Sequence, residues 1–246
     1  MIDQFNCTYT LLTTADSGAR ALSTIRIGVF HTTENEDTTD PRAVARWQQN
    51  RDNSSSYNVL VGTDGATVRS NDDNFIPWSA GPTANRIGVH CSAIGYASRD
   101  RAGWIRNPAQ IESMAQWAAN VHLRYGIPLK WLTPGELRAG HKGFCGHGEV
   151  SAAWREVDHT DPGAGFPRDL VLERAAKIAG GGEKKMTGKH AKLEDVDKNV
   201  NLIMDQLAGY PWQEWKGWPQ LGNRTIVNAL AAIGEKLGVE GMKAID

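Results

Sequence analysis

Three of the seven histidines stand in settings that suit a metal ion. His31 ends an apolar, strand-like run and is followed by Thr32-Thr33-Glu34. His147 sits in Gly146-His147-Gly148-Glu149-Val150-Ser151, and His159 shares the turn-rich segment His159-Thr160-Asp161-Pro162-Gly163 with Asp161. Neutral imidazole and carboxylate are ligands of catalytic zinc, which keeps three protein ligands and leaves a fourth position for water. His31, His147 and Asp161 fill that count. Spacing alone leaves the plain readings standing. A histidine at a strand end is ordinarily a hydrogen-bonded residue, Asp-Pro-Gly is strong turn chemistry by itself, and no H-E-x-x-H pair is present. A rival local cluster, His141, Cys145 and His147, falls in a stretch whose glycines at 140, 143, 146 and 148 imply a flexible loop.

These side chains act together only if the elements between them bring them together. Ser23 to His31 alternates apolar and polar residues with β-branched enrichment and predicts a strand; Arg86 to Ile94 predicts another. Asp40-Pro41 predicts a capped helix to about Asn50. Tyr57 to Val61 and Thr67 to Arg69 flank Asp64-Gly65 as a hairpin. Ile111, Met114, Ala118, Val121 and Leu123 predict a long amphipathic helix from Pro108 to Tyr125. Thr133-Pro134 starts a further helix, and a last one covers Arg168 to Ile178. Strands alternating with helices predict an α/β domain over residues 1–179, a mixed central β-sheet flanked by helices. Gly180-Gly181-Gly182 opens a linker over 180–189. Beyond it, Leu193, Val196, Val200, Ile203 and Leu207, then Ile226, Leu230, Ile233 and Leu237, predict two short helices of a small domain over 190–246. Between them lie Trp212, Trp215 and Trp218, whose flat faces suit sugar rings and equally suit the mini-core of a domain too small to bury much else.

The chain has 246 residues, with Lys+Arg 27 against Asp+Glu 28 and a formal net charge of −1. That balance argues against a nucleic-acid partner. Apolar runs fall short of the roughly 20 residues of a spanning helix, so no membrane insertion is expected. Met1 opens onto polar residues, so no secretory leader is expected. Cys7, Cys91 and Cys145 are an odd, scattered set that fits a reducing compartment and reads as buried apolar residues. With no long heptad run, a monomer is expected.

The ordered set His31-Thr32-Thr33-Glu34, Ser56-Tyr57-Asn58-Val59-Leu60-Val61 with Asp64-Gly65, Trp78-Ser79-Ala80-Gly81, Gly146 to Ser151 and His159 to Pro167 resembles the type 2 N-acetylmuramoyl-L-alanine amidases over roughly residues 20–178. This family includes the phage amidase lysozymes and the peptidoglycan recognition proteins. Gly217 to Thr225 resembles the cell-wall-binding segment of endolysins from phages of mycobacteria and their relatives. The resemblance implies that His31, His147 and Asp161 hold Zn2+ and that Tyr57 lies near the attacking water. A phenol is a poor base near neutral pH, so orienting that water is the role expected of Tyr57. His159 falls where the family often places a lysine facing the substrate carbonyl, which keeps a donor with altered pH dependence. Glu149 is the competing general base. Thr32, Trp78 and Ser79 are implied substrate contacts, Ser79 standing where many relatives have histidine. The implied activity is that of a phage endolysin. It would cut the amide between N-acetylmuramic acid and L-alanine of peptidoglycan with a zinc-activated water, and hold the wall through Trp212, Trp215 and Trp218. Such an enzyme is made in the host bacterial cytoplasm and reaches the wall through a separately encoded phage pore. The rivals are a peptidoglycan-binding module that does not cut, a zinc peptidase acting within the stem peptide, and a recycling amidase with no need of residues 190–246.

Overall fold

Period-two alternation decides which side chains of the central strands meet which layer. In β3 (Ile27–Thr32) and β7 (Gly88–Ala93), Phe30, Val89, Cys91 and Ala93 face one side, and Ile27, Val29, His31, His90 and Ser92 face the other. The computed structural model describes residues 3–180 and 226–237. The chain divides into two compact units, Met1–Glu183 and Lys184–Asp246.

In the first unit a six-stranded mixed sheet has the order β1-β5-β4-β7-β3-β8, with β1 (Tyr9–Thr10), β4 (Val59–Val61), β5 (Thr67–Arg69) and β8 (Gly143–Gly146) beside the two central strands. β4, β7, β3 and β8 run parallel, and β4 and β5 form the antiparallel hairpin expected from Asp64-Gly65. A second, two-stranded sheet pairs β2 (Asp16–Ala19) with β6 (Phe75–Pro77). Helices cover both faces of the large sheet. On one lie α3 (Arg101–Ile105), α4 (Pro108–Tyr125) and α7 (Arg168–Ala179), packed over a core containing Phe30, Trp104, Trp117, Phe144 and Phe166. On the other lie α1 (Pro41–Gln48), α2 (Pro82–Ile87), α5 (Pro134–Arg138) and α6 (His147–Trp154).

Several boundaries differ from the sequence pattern for local reasons. The strand starting at Ser23 begins instead at Ile27, because Leu22–Thr24 closes a 3₁₀ turn in which Thr24 Oγ1 donates to the Ala21 carbonyl at 2.7 Å. Arg86 and Ile87 belong to α2, a helix of six residues that is too short to show a period and starts on Pro82. In α4 the buried face is set by Met114, Trp117, Ala118 and Val121, so Leu123, two residues beyond Val121, falls on the outer side and is 47% exposed. The glycine-rich stretch before His147 is not a flexible loop. It is strand β8, paired with β3, and a Cβ at Gly143 would lie 2.7 Å from both Leu132 Cγ and the Lys130 carbonyl oxygen. Its glycines allow close packing rather than motion.

Of the second unit, the described residues form α8 (Ile226–Lys236), with Leu230 and Ile233 exposed. The helix expected over 193–207 and Trp212, Trp215 and Trp218 lie outside the described residues. Among the described residues, no helix is long and apolar enough to cross a membrane.

Cys7, Cys91 and Cys145 are free thiols. Burial pushes Cys7 up to about 11 and pushes Cys91 and Cys145 well above the usual thiol range. A thiolate-directed disulfide reagent at pH 8 is expected to label the native chain slowly and all three positions on unfolding. Rapid stoichiometric labelling of the native chain would contradict this packing.

Candidate metal centre

His31 is the fifth residue of β3 and shares its face with Ile27 and Val29. His147 is the first residue of α6, directly after β8, the strand bonded to β3 on the other side. Asp161 comes from the loop after α6, where the Gly148 N–H in the first helical turn donates to the Asp161 backbone carbonyl at 3.1 Å. The Thr32 N–H donates to Asp161 Oδ2 at 3.3 Å. Two adjacent parallel strands and one helix start therefore converge on one carboxylate.

The three residues are 1%, 4% and 7% exposed for His31, His147 and Asp161. His31 Nδ1 lies 3.1 Å from Asp161 Oδ2, and His147 Nδ1 lies 3.1 Å from Asp161 Oδ1. Burial pulls His31 down to about 4 against the opposing pull of Asp161, so this ring is neutral at pH 7 and has a lone pair to give. Burial pushes the Asp161 carboxyl upward, but hydrogen bonds from His147 and His31 prevail and hold it well below the usual carboxylate range.

Among the described residues, this is the group of three ligating side chains that comes together, its ligand atoms all within 4.8 Å of one another. Donors about 2.0–2.1 Å from a tetrahedral zinc stand roughly 3.3 Å apart; here each histidine nitrogen lies 3.1 Å from its own oxygen of the shared Asp161 carboxylate. His147 Nε2 and Ser151 Oγ, one helical turn apart, are both buried without a hydrogen-bond partner. Two imidazoles and one carboxylate match the ligand chemistry of a catalytic zinc.

The centre floors a cleft of about 750 Å³ lined by Thr32, Tyr57, Trp78, Ser79, His159 and Asp161, among others. The Tyr57 ring lies 5.1 Å from that of His31. Burial and then the Asp161 charge push its phenol up to about 12, so at neutral pH it is a hydrogen-bond donor and not a base. The His159 side chain is 61% exposed, with Nδ1 3.8 Å from Asp161 Oδ1. It stacks parallel on His147 at 4.5 Å. Trp78 forms a wall, held by Nε1 donating to Ser17 Oγ at 2.7 Å and by the Arg51 guanidinium 4.8 Å over its ring. Ser79 Oγ donates to the Ser56 carbonyl and Thr32 Oγ1 to Glu34, so both hydroxyl protons are engaged within the protein.

Glu149 faces elsewhere. Its Oε2 accepts from the Gly146 N–H at 2.9 Å, capping α6, and its Oε1 accepts from Trp131 Nε1 at 3.0 Å, beside a neighbouring cleft. Both oxygens serve the helix start, which corrects the expectation of a base facing the water. The local cluster of His141, Cys145 and His147 does not form either, because Cys145 is packed with Ile27 and Val29 while His141 is exposed. Sequence reasoning missed His90, which is fully buried with Nδ1 3.0 Å from His31 Nε2. The signal was the alternation of Val89, Cys91 and Ala93, which puts residue 90 on the face that carries His31.

The family described as N-acetylmuramoyl-L-alanine amidase matches residues 21–164, and a family described as Rv3766 C-terminal domain matches residues 181–240. No curated protein matches the chain. Among solved structures, Staphylococcus aureus hydrolase AmiA in complex with its ligand is similar at 17% identity and a TM-score of 0.55, over 72% of this chain and 87% of that one. The Clostridium intestinale endolysin and N-acetylmuramoyl-L-alanine amidase LysCS is 15% identical, with a TM-score of 0.46, over 70% of this chain and 97% of that one. At 17% identity the likeness to AmiA speaks to the fold.

Proposed function

The chain belongs to the N-acetylmuramoyl-L-alanine amidase family, and from that membership we propose that it is a zinc-dependent endolysin cutting the amide between N-acetylmuramic acid and L-alanine of peptidoglycan. The observation that carries the zinc reading is the convergence of His31, His147 and Asp161 at the floor of an open cleft. Zinc held there supplies Lewis acidity: it polarises a carbonyl and makes water a stronger acid, with a pKa of about 7.

The rest of the chemistry falls to the chain. Tyr57, which lines the cleft beside His31 and keeps its phenol proton at neutral pH, would orient the attacking water by donating to it. His159, exposed at the rim above Asp161, is placed to donate to the oxygen on which charge develops as the amide carbon becomes tetrahedral. Trp78 supplies a flat wall for a sugar or peptide face. A binding module that does not cut is disfavoured because all three ligand positions carry competent donors. The endolysin role is supported by the resemblance of Gly217 to Thr225 to wall-binding segments. Trp212, Trp215 and Trp218 would hold the wall in that role. It requires synthesis in the host cytoplasm and passage through a separate phage pore.

Purified peptidoglycan incubated with the chain is expected to yield free N-terminal alanine, with about one zinc per chain. Activity should vanish on chelation and return with added zinc. New amino termini inside the stem peptide would identify a peptidase instead, and binding without new ends would identify a recognition module.

A further inference from the structure

We propose that His90 is a positioning residue that fixes the tautomer and ring angle of His31, so that the Nδ1 lone pair of His31 points at the metal. The inference rests on the zinc reading above and adds a residue outside the ligand set.

A neutral imidazole carries one ring proton. If His31 Nδ1 gives its lone pair to a metal, the proton sits on Nε2, and that atom lies 3.0 Å from His90 Nδ1. His90 Nδ1 must then accept, which places the proton of His90 on its own Nε2. That atom is buried without a partner at full hydrogen-bonding geometry, but the Ala84 carbonyl beside it favours a proton there. The sequence of donors thus runs in one direction, from His90 Nε2–H toward Ala84 and from His31 Nε2–H toward His90.

The surroundings hold His90 for this purpose. β3 and β7 are parallel with His31 opposite Ser92 and Val29 opposite His90, so the two rings are diagonal neighbours on one face. The His90 N–H donates to Asn58 Oδ1 at 2.8 Å and the Asn58 N–H donates to the His90 carbonyl at 3.1 Å, clamping the backbone from β4's side. A Cβ on Gly88 would lie 2.9 Å from His90 Nε2 and 2.7 Å from the Ala84 oxygen. Only glycine leaves room there for the ring and that carbonyl together. An apolar residue would fill this buried strand position without the cost of desolvating an imidazole, so what histidine adds is its acceptor nitrogen. Ligand histidines usually donate to a carboxylate, a carbonyl or water; here the acceptor is a second imidazole.

The test uses the full chain loaded with zinc. Imidazole ¹⁵N–¹H correlation spectra are expected to show His31 and His90 both protonated on Nε2. Zinc affinity, read by competition with a chromophoric chelator, should fall about 10- to 100-fold in His90→Leu. It should recover most of that loss in His90→Asn, whose Oδ1 can accept where Nδ1 stood. Thermal melts report whether each variant folds, and if His90→Leu does not, the wild-type tautomer decides. A proton on His90 Nδ1 overturns the proposal, as does a folded His90→Leu that binds zinc like the wild type, or an Asn variant no better than Leu. In those cases a wild type holding one zinc keeps the metal site intact. A wild type that binds no zinc overturns the site and this proposal together.

Discussion

Asp161→Asn is expected to leave a folded chain that retains no zinc after dialysis and releases N-terminal alanine at least about 10³-fold more slowly than the wild type. The substitution separates two roles. Asparagine preserves the turn chemistry of Asp161-Pro162-Gly163 and nearly the same volume, so a turn residue would tolerate it. A zinc ligand would not, because Asp161 is the anionic member of the set and its two oxygens face the two imidazoles at 3.1 Å. Without its charge the site would have two imidazole donors and would not hold the proposed Lewis acid. Asp161→Cys, which restores an anionic zinc ligand, should recover metal and part of the activity. Full zinc content in the Asn variant would return Asp161 to a structural role.

The second large effect falls on His159. His159→Ala is expected to lower kcat by about 10²–10³-fold with little change in KM and with zinc content unchanged, the signature of a donor used chiefly in the transition state. His159 stands beside the candidate ligands: its Nδ1 is 3.8 Å from Asp161 Oδ1, its ring stacks on His147, and its side chain is 61% exposed. Such a group can reach a bound substrate. His159→Lys should restore most of kcat, since an ammonium can donate at the same place. A His159→Ala enzyme of normal kcat would leave His159 with no part in the chemistry.

Much of this site was legible because its residues punctuate elements. His31 closes an alternating strand, His147 follows a glycine that starts a helix, and Asp161 sits in turn chemistry. The order of elements followed from periodicity where the period had room to repeat, as in α4, and failed where it did not, as in the six residues of α2. β8 was hidden by its glycines, which read as flexibility although they are required by contact with Leu132 and Lys130. Glu149 looked like a base because it follows a ligand by two residues, yet the same spacing makes it the third residue of α6, where a carboxylate caps the helix. His90 was invisible to motif reasoning because it acts through a neighbouring strand, and strand order is a property of the whole sheet.

The ligands span the fold: His31 and Asp161 are 130 residues apart in sequence. No short segment carries the site, so on the proposed zinc reading the unfolded chain would bind the ion weakly and the native state well. Zinc would then be linked to folding, adding about 4 kcal/mol of stability when the free ion is 1,000 times its Kd. Such contacts between distant segments also form slowly. A chain refolding from the denatured state or nicked between β3 and α6 would therefore be metal-free until its sheet has closed, and activity on peptidoglycan would become a readout of completed folding.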